Sequence, residues 1–326
     1  MGDRTTDVIV IGAGPVGLAC AIEVQRTGRS VRVVDQGALV HSLTRYPTGM
    51  EFFSTPELLE IGGFPFPTHG YKPVREEALD YYRRVADSER LDLALYERVI
   101  SVEGQVGAFE VVTTRTRHTC RQVVVATGFF DHPNLLGIPG EDLPHVTHYF
   151  SEPYPYARQR VVVIGAKNSA AKAALQCYRH GAQVTMVVRG AELSDRIKYW
   201  ILPDLQNRIR DGAIAAHFGT TVTAIEPGLV RADGPHGPIV IGCDWVLAMT
   251  GYRPDYAFLA ALGLEIESDD ARTPRIDPAS MESSRPGLYL AGTVCGGLRT
   301  SRWFIENGRF HASLIAQHIV SYGAPP

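Results

Sequence analysis

Gly12-Ala-Gly-Pro-Val-Gly17 lies between an apolar run, Asp7-Val-Ile-Val-Ile11, and a helical pattern that ends near Gly28. A second apolar run, Val31-Arg-Val-Val-Asp35, follows that pattern. In such a turn the first glycine allows a tight bend, the second lets a pyrophosphate approach the backbone, and the third lets the helix close on the strand. The order of strand, glycine turn, helix and strand therefore predicts a βαβ dinucleotide-binding unit.

The same plan recurs 153 residues further along the chain. Arg160-Val-Val-Val-Ile164 precedes the turn Gly165-Ala-Lys-Asn-Ser-Ala170, a helical pattern ends near Gly181, and Gln183-Val-Thr-Met-Val-Val188 follows. A constant offset through strand, turn, helix and second strand is much harder to obtain by chance than one glycine pattern. The sequence therefore predicts two dinucleotide-binding units.

The remaining chain contains further apolar periodicities. Between the two units they predict a helix over 72–90 and strands over Ala94–Val99, Phe109–Thr113 and Gln122–Ala126. After the second unit they predict strands over Val222–Ile225, Asp244–Met249 and Leu288–Ala291, and a helix from about Phe304 to Tyr322.

The first unit carries an acidic residue at the end of its second strand. Asp35 stands 23 residues after Gly12, where a carboxylate can accept hydrogen bonds from the hydroxyls of an adenosine ribose. The anionic pyrophosphate would meet the N–H groups and the positive dipole end of the helix. This unit therefore matches a site for FAD or NAD.

The second unit differs at the corresponding position, where Val188 is followed by Arg189. No carboxylate is available there for a free 2′-hydroxyl, and the guanidinium suits a 2′-phosphate, which favours NADPH over NADH. Lys167 replaces the second glycine and places an ammonium beside the phosphates. Lys198 and Arg196 are further candidates for the 2′-phosphate, although loop cations are commonly only solvated.

Composition excludes several other classes. The chain has 326 residues, enough for two domains, and its 32 basic and 35 acidic residues give a net charge of −3 without long runs of one sign. We therefore expect no nucleic-acid or membrane partner. The N-terminal apolar run is too short for a membrane span or signal sequence, which predicts a cytoplasmic protein. The five widely spaced cysteines suit neither a disulfide framework nor a zinc site, and we expect no metal.

These patterns predict an α/β fold with two Rossmann-like, three-layer domains. Stretches rich in glycine and proline at 131–145 and 252–256 flank the second unit, which indicates that it is inserted in the first. The predicted FAD-binding domain is discontinuous, with residues 1–131 and 252–326, and the predicted NADPH-binding domain comprises residues 132–251.

Over its whole length the chain resembles the two-dinucleotide flavoprotein reductases typified by low-molecular-weight thioredoxin reductase. The resemblance includes Ala126-Thr-Gly128, Met249-Thr-Gly-Tyr-Arg-Pro254 and Gly287-Leu-Tyr-Leu-Ala-Gly292. More specifically, it is similar to the bacillithiol-disulfide (bacilliredoxin) reductases in Tyr46-Pro-Thr-Gly-Met-Glu-Phe-Phe-Ser-Thr55, Leu59-Glu-Ile-Gly-Gly63, Gly165–Ala170 and Phe304-Ile-Glu-Asn-Gly-Arg309.

The resemblance implies an enzyme that uses NADPH and FAD to reduce bacillithiol disulfide or a bacilliredoxin, and a homodimer is expected. The residues expected to bind FAD are Gly12, Gly14, Pro15, Gly17, Asp35, Gln36, Thr48, Phe53, Thr127, Gly128, Gly292, Thr293 and Phe304. The residues expected to bind NADPH are Gly165, Lys167, Asn168, Ser169, Ala170, Arg189 and Lys198.

The chain departs from its relatives where thiol chemistry is concerned. Many bacilliredoxin reductases carry a cysteine where this chain has Val16, and a valine forms no mixed disulfide. Related reductases place an aspartate where it has Thr293, whose hydroxyl can still hydrogen-bond the flavin. The CxxC pair of thioredoxin reductases is missing from 145–152. We expect Cys295, with a pKa lowered by a helix N-terminus, or His148, as a proton donor, to be catalytic, with packing roles as alternatives.

Three other functions remain open at this stage. A flavin-dependent monooxygenase also combines two Rossmann units without CxxC, but its FxGxxxHxxxW-type signature is missing between the units. A ferredoxin or flavodoxin reductase would pass single electrons to a protein. A redox sensor would bind both nucleotides without turnover.

Overall fold

The computed structural model describes residues 6–322. Its first part contains β1 (Thr6–Ile11), α1 (Pro15–Arg26), β2 (Val31–Val34), α2 (His41–Thr44), α3 (Pro56–Leu59), α4 (Arg75–Ser88), β3 (Asp92–Ala94), β4 (Val99–Gln105), β5 (Ala108–Thr113), β6 (Arg117–Val125) and β7 (Val146–Thr147). Its second part contains β8 (Arg160–Ile164), α5 (Asn168–Arg179), β9 (Gln183–Val187), α6 (Leu202–Arg210), β10 (Ala215–His217), β11 (Thr221–Glu226), β12 (Leu229–Gly234), β13 (Gly237–Gly242), β14 (Trp245–Ala248), α7 (Tyr256–Ala261), β15 (Leu288–Leu290), α8 (Ile305–Gly308) and α9 (His311–Ser321).

The described residues divide into two compact units. One comprises residues 6–45, 49–132 and 252–322, and the other comprises residues 46–48 and 133–251. The second unit is therefore continuous in sequence except for the short segment 46–48. Residues 1–5 and 323–326, which we assigned to the FAD-binding domain, lie outside the described residues.

The sheet of the first unit has a parallel part in the order β3-β2-β1-β6-β15, and β4 and β5 extend it as an antiparallel meander on β6. Val8, Ile9 and Val10 on β1 are completely buried, as expected for a central parallel strand covered on both faces. The buried side of α1 includes Leu18 and Ile22, and this helix packs against α9.

The second unit repeats this arrangement. Its parallel sheet has the order β10-β9-β8-β14-β7, and β11, β12 and β13 form a separate antiparallel meander. Val161 pairs with Val184 here, whereas Val8 pairs with Val31 in the first unit. The sequence offset of 153 thus also relates the strand registers, and the predicted α/β fold with two Rossmann-like units is confirmed.

Some predicted elements are wrong. Ala94–Val99 is not one strand, because β3 ends at Ala94 and Tyr96 adopts a left-handed φ of 56° while its N–H bonds to Gly37 O. The C-terminal helix is interrupted between α8 and α9 around Arg309. The sequence analysis predicted β5 and β11 but missed the other strands of the two meanders and two edge strands, namely most of β4 and all of β7, β10, β12 and β13.

Candidate functional site

In the first unit, predicted site residues gather at one edge of the parallel sheet. Because β1, β6 and β15 run parallel, their carboxyl ends lie together, and ligands of open α/β sheets bind beyond such ends. Gly12 follows β1, Thr127 and Gly128 follow β6, and Thr293 follows β15. A Cβ on Gly128 would lie 3.4 Å from Thr293 Oγ1, so these two predicted flavin residues are neighbours.

The Gly12–Gly17 turn has the shape of a phosphate cradle. Gly12 has a φ of +111°, and a Cβ there would lie 2.5 Å from Ala126 O, so the turn excludes larger residues. A Cβ on Gly17 would lie 1.9 Å from Gly12 O, which shows how closely α1 approaches the strand. A Cβ on Gly14, in contrast, would meet no atom of residues 6–322 within 4 Å.

The N-terminus of α1 presents backbone donors to that open space. In the described structure Gly14 is its N-cap, Pro15 occupies the first turn, no side chain caps the helix, and its first turn has no acidic residue. The N–H groups of a first helical turn have no partners within the helix, so this end can bind an anion. The residues present therefore fit the pyrophosphate of FAD.

Asp35 is held rigidly at the end of β2. Its Oδ2 accepts from Ala13 N at 2.6 Å and its Oδ1 accepts from Gly37 N at 2.7 Å, which leaves lone pairs on both oxygens. Burial raises the pKa of Asp35, and the two backbone N–H groups counteract this rise. The neighbouring Gln36 donates from Nε2 to Asp131 Oδ2 at 3.1 Å. The carboxylate is therefore positioned to accept hydrogen bonds from a ribose.

The two predicted flavin-facing aromatics lie on segments that are tied together. Phe53 is 38% exposed and Phe304 is 39% exposed. Ser54 Oγ donates to Glu306 Oε2 at 2.5 Å, and Arg309 Nη1 donates to Glu57 O at 2.8 Å. Thr48 belongs to the other unit, in which its N–H bonds to Ser151 O at 2.8 Å. The roles of all three predicted residues toward FAD stay predictions.

Sequence analysis missed His311, which lies behind Gly292. Its Nδ1 accepts from Gly292 N at 3.1 Å, so the ring carries its proton on Nε2 when neutral. Burial lowers the pKa of His311 to about 4, and its ring meets Trp303 edge-on at 4.4 Å between centroids. Only the fold brings residues 292 and 311 together, so no local motif could have revealed this contact.

Cys295 lies in a different environment from the one we predicted. It is 1% exposed, inside the 3₁₀ turn Gly292–Gly296 rather than at an α-helix N-terminus, and its Sγ lies 4.0 Å from His311 Nδ1. Burial raises the pKa of the Cys295 thiol, so the predicted lowering is wrong. Because the thiolate is the nucleophile, a buried neutral thiol is poorly suited to disulfide exchange. Its catalytic role stays a prediction, against which this burial argues.

Cys295→Ala is expected to leave the predicted NADPH-dependent turnover within about twofold of that of the unmodified protein, because a buried neutral thiol is poorly suited to react. Loss of the small side chain should lower the free energy of unfolding by roughly 1 to 2 kcal/mol. Turnover assays and urea titrations test both points. Cys20→Ala, which removes another fully buried thiol, is the matched control. The result would instead support a catalytic thiol if alkylation of Cys295 depended on NADPH, or if turnover fell about tenfold in Cys295→Ala but not in Cys20→Ala.

The second unit presents an equivalent turn after β8. Gly165 has a φ of +138°, and a Cβ there would lie 2.6 Å from Met249 O. Lys167 is the exposed N-cap of α5, and within the described chain no side chain caps this helix and no acidic residue lies in its first turn. Ser169 is exposed, whereas Ala170 is completely buried where the first unit has Gly17. This end of α5 therefore also fits a phosphate.

Side chains at the end of β9 distinguish the two sites. Val188 is completely buried, and Arg189 after it is exposed. Asn168 bonds through its side chain to the loop that carries Arg196 and Lys198. The ammonium of Lys198 lies 5.8 Å from the ring centroid of Trp200. The structure therefore places Lys167 and Asn168 beside the 196–198 loop, which carries two further basic side chains.

His148 contacts an acidic partner within the second unit. Its Nε2 lies 3.3 Å from Glu141 Oε1, and the same carboxylate accepts from Leu136 N and Gly137 N. These contacts assign His148 a part in holding the 136–148 segment. Its role as a proton donor stays a prediction.

Comparisons with known proteins identify the family of the chain. The family model described as pyridine nucleotide-disulphide oxidoreductase matches residues 9–292. The chain belongs to this family. A relative, bacilliredoxin reductase Bdr of Bacillus subtilis (strain 168), is 43% identical over 313 residues, which cover 95% of this chain and 96% of the relative.

Solved structures agree with the family over the whole fold. The bacillithiol disulfide reductase Bdr (YpdA) of Staphylococcus aureus superposes with a TM-score of 0.95 at 38% identity, covering 98% of this chain and 100% of that chain. The Bacillus cereus enzyme gives 0.95 at 41% identity, with the same coverage. This pyridine nucleotide-disulphide oxidoreductase is therefore an enzyme, and the predicted use of FAD with a nicotinamide nucleotide is confirmed. Within residues 6–322, every helix is too short or too polar to cross a membrane.

Proposed function

We propose that this enzyme transfers electrons from NADPH through FAD to bacillithiol disulfide, or to the mixed disulfide of bacillithiol and a bacilliredoxin. The observation that carries the proposal is the whole-chain similarity to reductases with these names, at 38–43% identity. The net reaction consumes NADPH, one proton and a disulfide, and yields NADP⁺ and two thiols. FAD, when bound, supplies a carrier that accepts two electrons from the nicotinamide and releases them to the acceptor.

The residues of the first unit support the binding of FAD. The Gly12–Gly17 turn and the N-terminus of α1 would hold its pyrophosphate, and Asp35 would accept from its ribose hydroxyls. Thr293 and the backbone at Gly128 would lie along the flavin. Phe53 and Phe304 would wall it and limit the access of water.

The residues of the second unit favour NADPH over NADH. A buried valine at position 188 offers no acceptor for a free 2′-hydroxyl, while the exposed guanidinium of Arg189 can bind a 2′-phosphate. Lys167 and the N-terminus of α5 would bind the pyrophosphate. We propose that these groups select the phosphorylated coenzyme.

The cysteines favour an acceptor that reacts without a protein dithiol. All five are free and buried in the structure, and the sequence has no CxxC pair. We propose that the small disulfide itself reaches the flavin. The homodimer and the cytoplasmic location stay predictions, which sedimentation analysis and fractionation of the source cells would test.

A stopped-flow experiment tests the acceptor. The flavoprotein is reduced anaerobically with one equivalent of NADPH and mixed with oxidised bacillithiol, a bacilliredoxin mixed disulfide, oxidised ferredoxin or oxygen. We expect one of the two bacillithiol-containing disulfides to reoxidise the flavin at least about tenfold faster than ferredoxin or oxygen, because uncatalysed electron leakage lacks a bound acceptor. Oxidised glutathione serves as a matched disulfide control. Faster reoxidation by ferredoxin, or no response to either bacillithiol disulfide, would contradict the proposal.

A further inference from the structure

The side chain of Asn168 joins the phosphate-binding turn of the second unit to a distant loop. Its Nδ2 donates to Arg196 O at 3.0 Å, and its Oδ1 accepts from Lys198 N at 2.9 Å. One amide group thus spans two backbone groups of the residues on either side of Ile197. We call this pair of hydrogen bonds the Asn168 bridge.

Two other contacts fix the same loop. Ser194 N donates to Ala166 O at 3.1 Å, so the backbone of the turn also bonds to the loop. Ile197 is 3% exposed and belongs to the hydrophobic core of the second unit. The loop is therefore fastened at 194, 197 and by the Asn168 bridge, while the side chain of Arg196 is exposed.

The fastened loop carries two basic side chains and two acidic ones, so its effect on an anion depends on where the basic side chains are held. Lys167 and Arg189 are exposed at the ends of β8 and β9, and the loop contributes Arg196 and Lys198, together with the exposed carboxylates of Glu192 and Asp195. Long basic side chains on a free loop lose considerable rotamer entropy when they bind an anion. A free loop would also lose backbone entropy, and fixing its backbone in advance removes that part of the cost.

We propose that Asn168 is a positioning residue for coenzyme specificity. The Asn168 bridge holds the backbone of residues 196–198 beside the Gly165–Ala170 turn, so that Arg196 and Lys198 reach the 2′-phosphate while the turn binds the pyrophosphate. Asn168 thus acts on the 2′-phosphate through this loop. The inference rests on the proposed preference for NADPH, and it assigns to Asn168 a function other than direct phosphate binding.

Binding of coenzyme fragments to the FAD-loaded protein tests the inference. Calorimetric titrations compare adenosine 2′,5′-bisphosphate with 5′-AMP, which lacks the 2′-phosphate. Asn168→Ala should weaken the binding of the bisphosphate by about 10-fold, which is the scale of two lost hydrogen bonds. The affinity for 5′-AMP should change by less than about threefold. Asn207→Ala, an exposed asparagine on α6, is the matched control and should change neither.

A double-mutant cycle separates positioning from direct contact. If Asn168 acts through the loop, Asn168→Ala should reduce the affinity for the bisphosphate clearly less in a protein that already carries Arg196→Ala and Lys198→Ala. In that protein the loop has no basic side chains to position. Equal costs in both backgrounds would overturn the inference. If the unmodified protein itself binds the two fragments alike, the proposed NADPH preference fails instead.

Limited proteolysis gives a readout that needs no coenzyme. Trypsin cleaves after Arg196 and Lys198, and release of the loop should increase cleavage there at least about fivefold in Asn168→Ala, since cleavage follows local opening. If Asn168→Ala folds poorly, Asn168→Ser replaces it. A serine side chain is too short to bond to both backbone groups, so this variant should show the same increase in cleavage. Unchanged cleavage in a folded variant would contradict the Asn168 bridge.

Discussion

Replacing Gly14 with valine is expected to yield a folded protein that no longer retains flavin. Gly14 has a φ of −74° and a ψ of 173°, an extended conformation that valine adopts readily. A Cβ there meets no atom of the described chain within 4 Å, so the added side chain enters the space in front of α1. That space is where we place the pyrophosphate of FAD. We expect FAD affinity to fall by at least about 100-fold, or roughly 3 kcal/mol.

The measurement is the flavin content of the purified variant and its affinity for added FAD, followed by fluorescence quenching. Thermal unfolding of the apoproteins establishes that the fold is retained. Gly70→Val is the matched control, because its Cβ would lie 3.4 Å from Lys72 O, an ordinary contact far along the chain from the turn. Gly17→Val is a contrasting variant in which the fold itself should fail, since its Cβ would lie 1.9 Å from Gly12 O. A yellow Gly14→Val protein with nearly unchanged affinity would refute the assignment of this turn to FAD.

The sequence predicted the parts of the fold that depend on local rules. The strand, turn and helix of each unit follow from apolar runs beside glycines, and the offset of 153 residues predicted the repeat that the paired registers Val8–Val31 and Val161–Val184 show. The turns Gly12–Gly17 and Gly165–Ala170 were predictable for the same reason. Gly12 and Gly165 are needed because a Cβ at either position would lie too close to a backbone oxygen. The distance would be 2.5 Å from Gly12 to Ala126 O and 2.6 Å from Gly165 to Met249 O.

The meanders were harder to predict because half of each strand faces solvent. In β13 the residues alternate between exposed and partly buried, with only Ile241 fully buried, so its apolar periodicity is weak. The predicted strand at Ala94–Val99 failed for a tertiary reason. Glu97 N donates to Asp35 O, and this contact with the β2 end replaces local pairing.

Residues of the candidate site were predictable where they belong to a motif, and not where long-range contacts decide their chemistry. From the sequence we predicted that Cys295 lies at a helix N-terminus, whereas the fold buries it beside His311. Asn168 was predicted as a residue that binds NADPH, and the structure shows that its amide bonds to residues 28 and 30 positions away. Neither environment has a signature within a short window of sequence.

The second large effect is expected at Arg189, where glutamate should reverse the coenzyme preference. The guanidinium is exposed at the end of β9, and Val188 before it has no polar group. Hydrogen bonds between charged groups contribute about 1.5 to 3 kcal/mol each, and the new carboxylate also repels the 2′-phosphate. We expect kcat/KM for NADPH to fall roughly 100-fold or more, while the value for NADH stays within about threefold.

Flavin reduction by each coenzyme, followed in stopped flow at two salt concentrations, measures this change directly. The advantage of NADPH in the unmodified enzyme should shrink as salt rises, because the Arg189 contact is exposed and therefore screened. Arg210→Glu makes the same charge change on α6, where Arg210 is exposed beside Asp211, and should alter both coenzymes little. A similar loss for NADH and NADPH in Arg189→Glu would mean that the residue supports the fold or the common part of the coenzyme. Only a loss confined to NADPH identifies the guanidinium of Arg189 as a group that binds the 2′-phosphate.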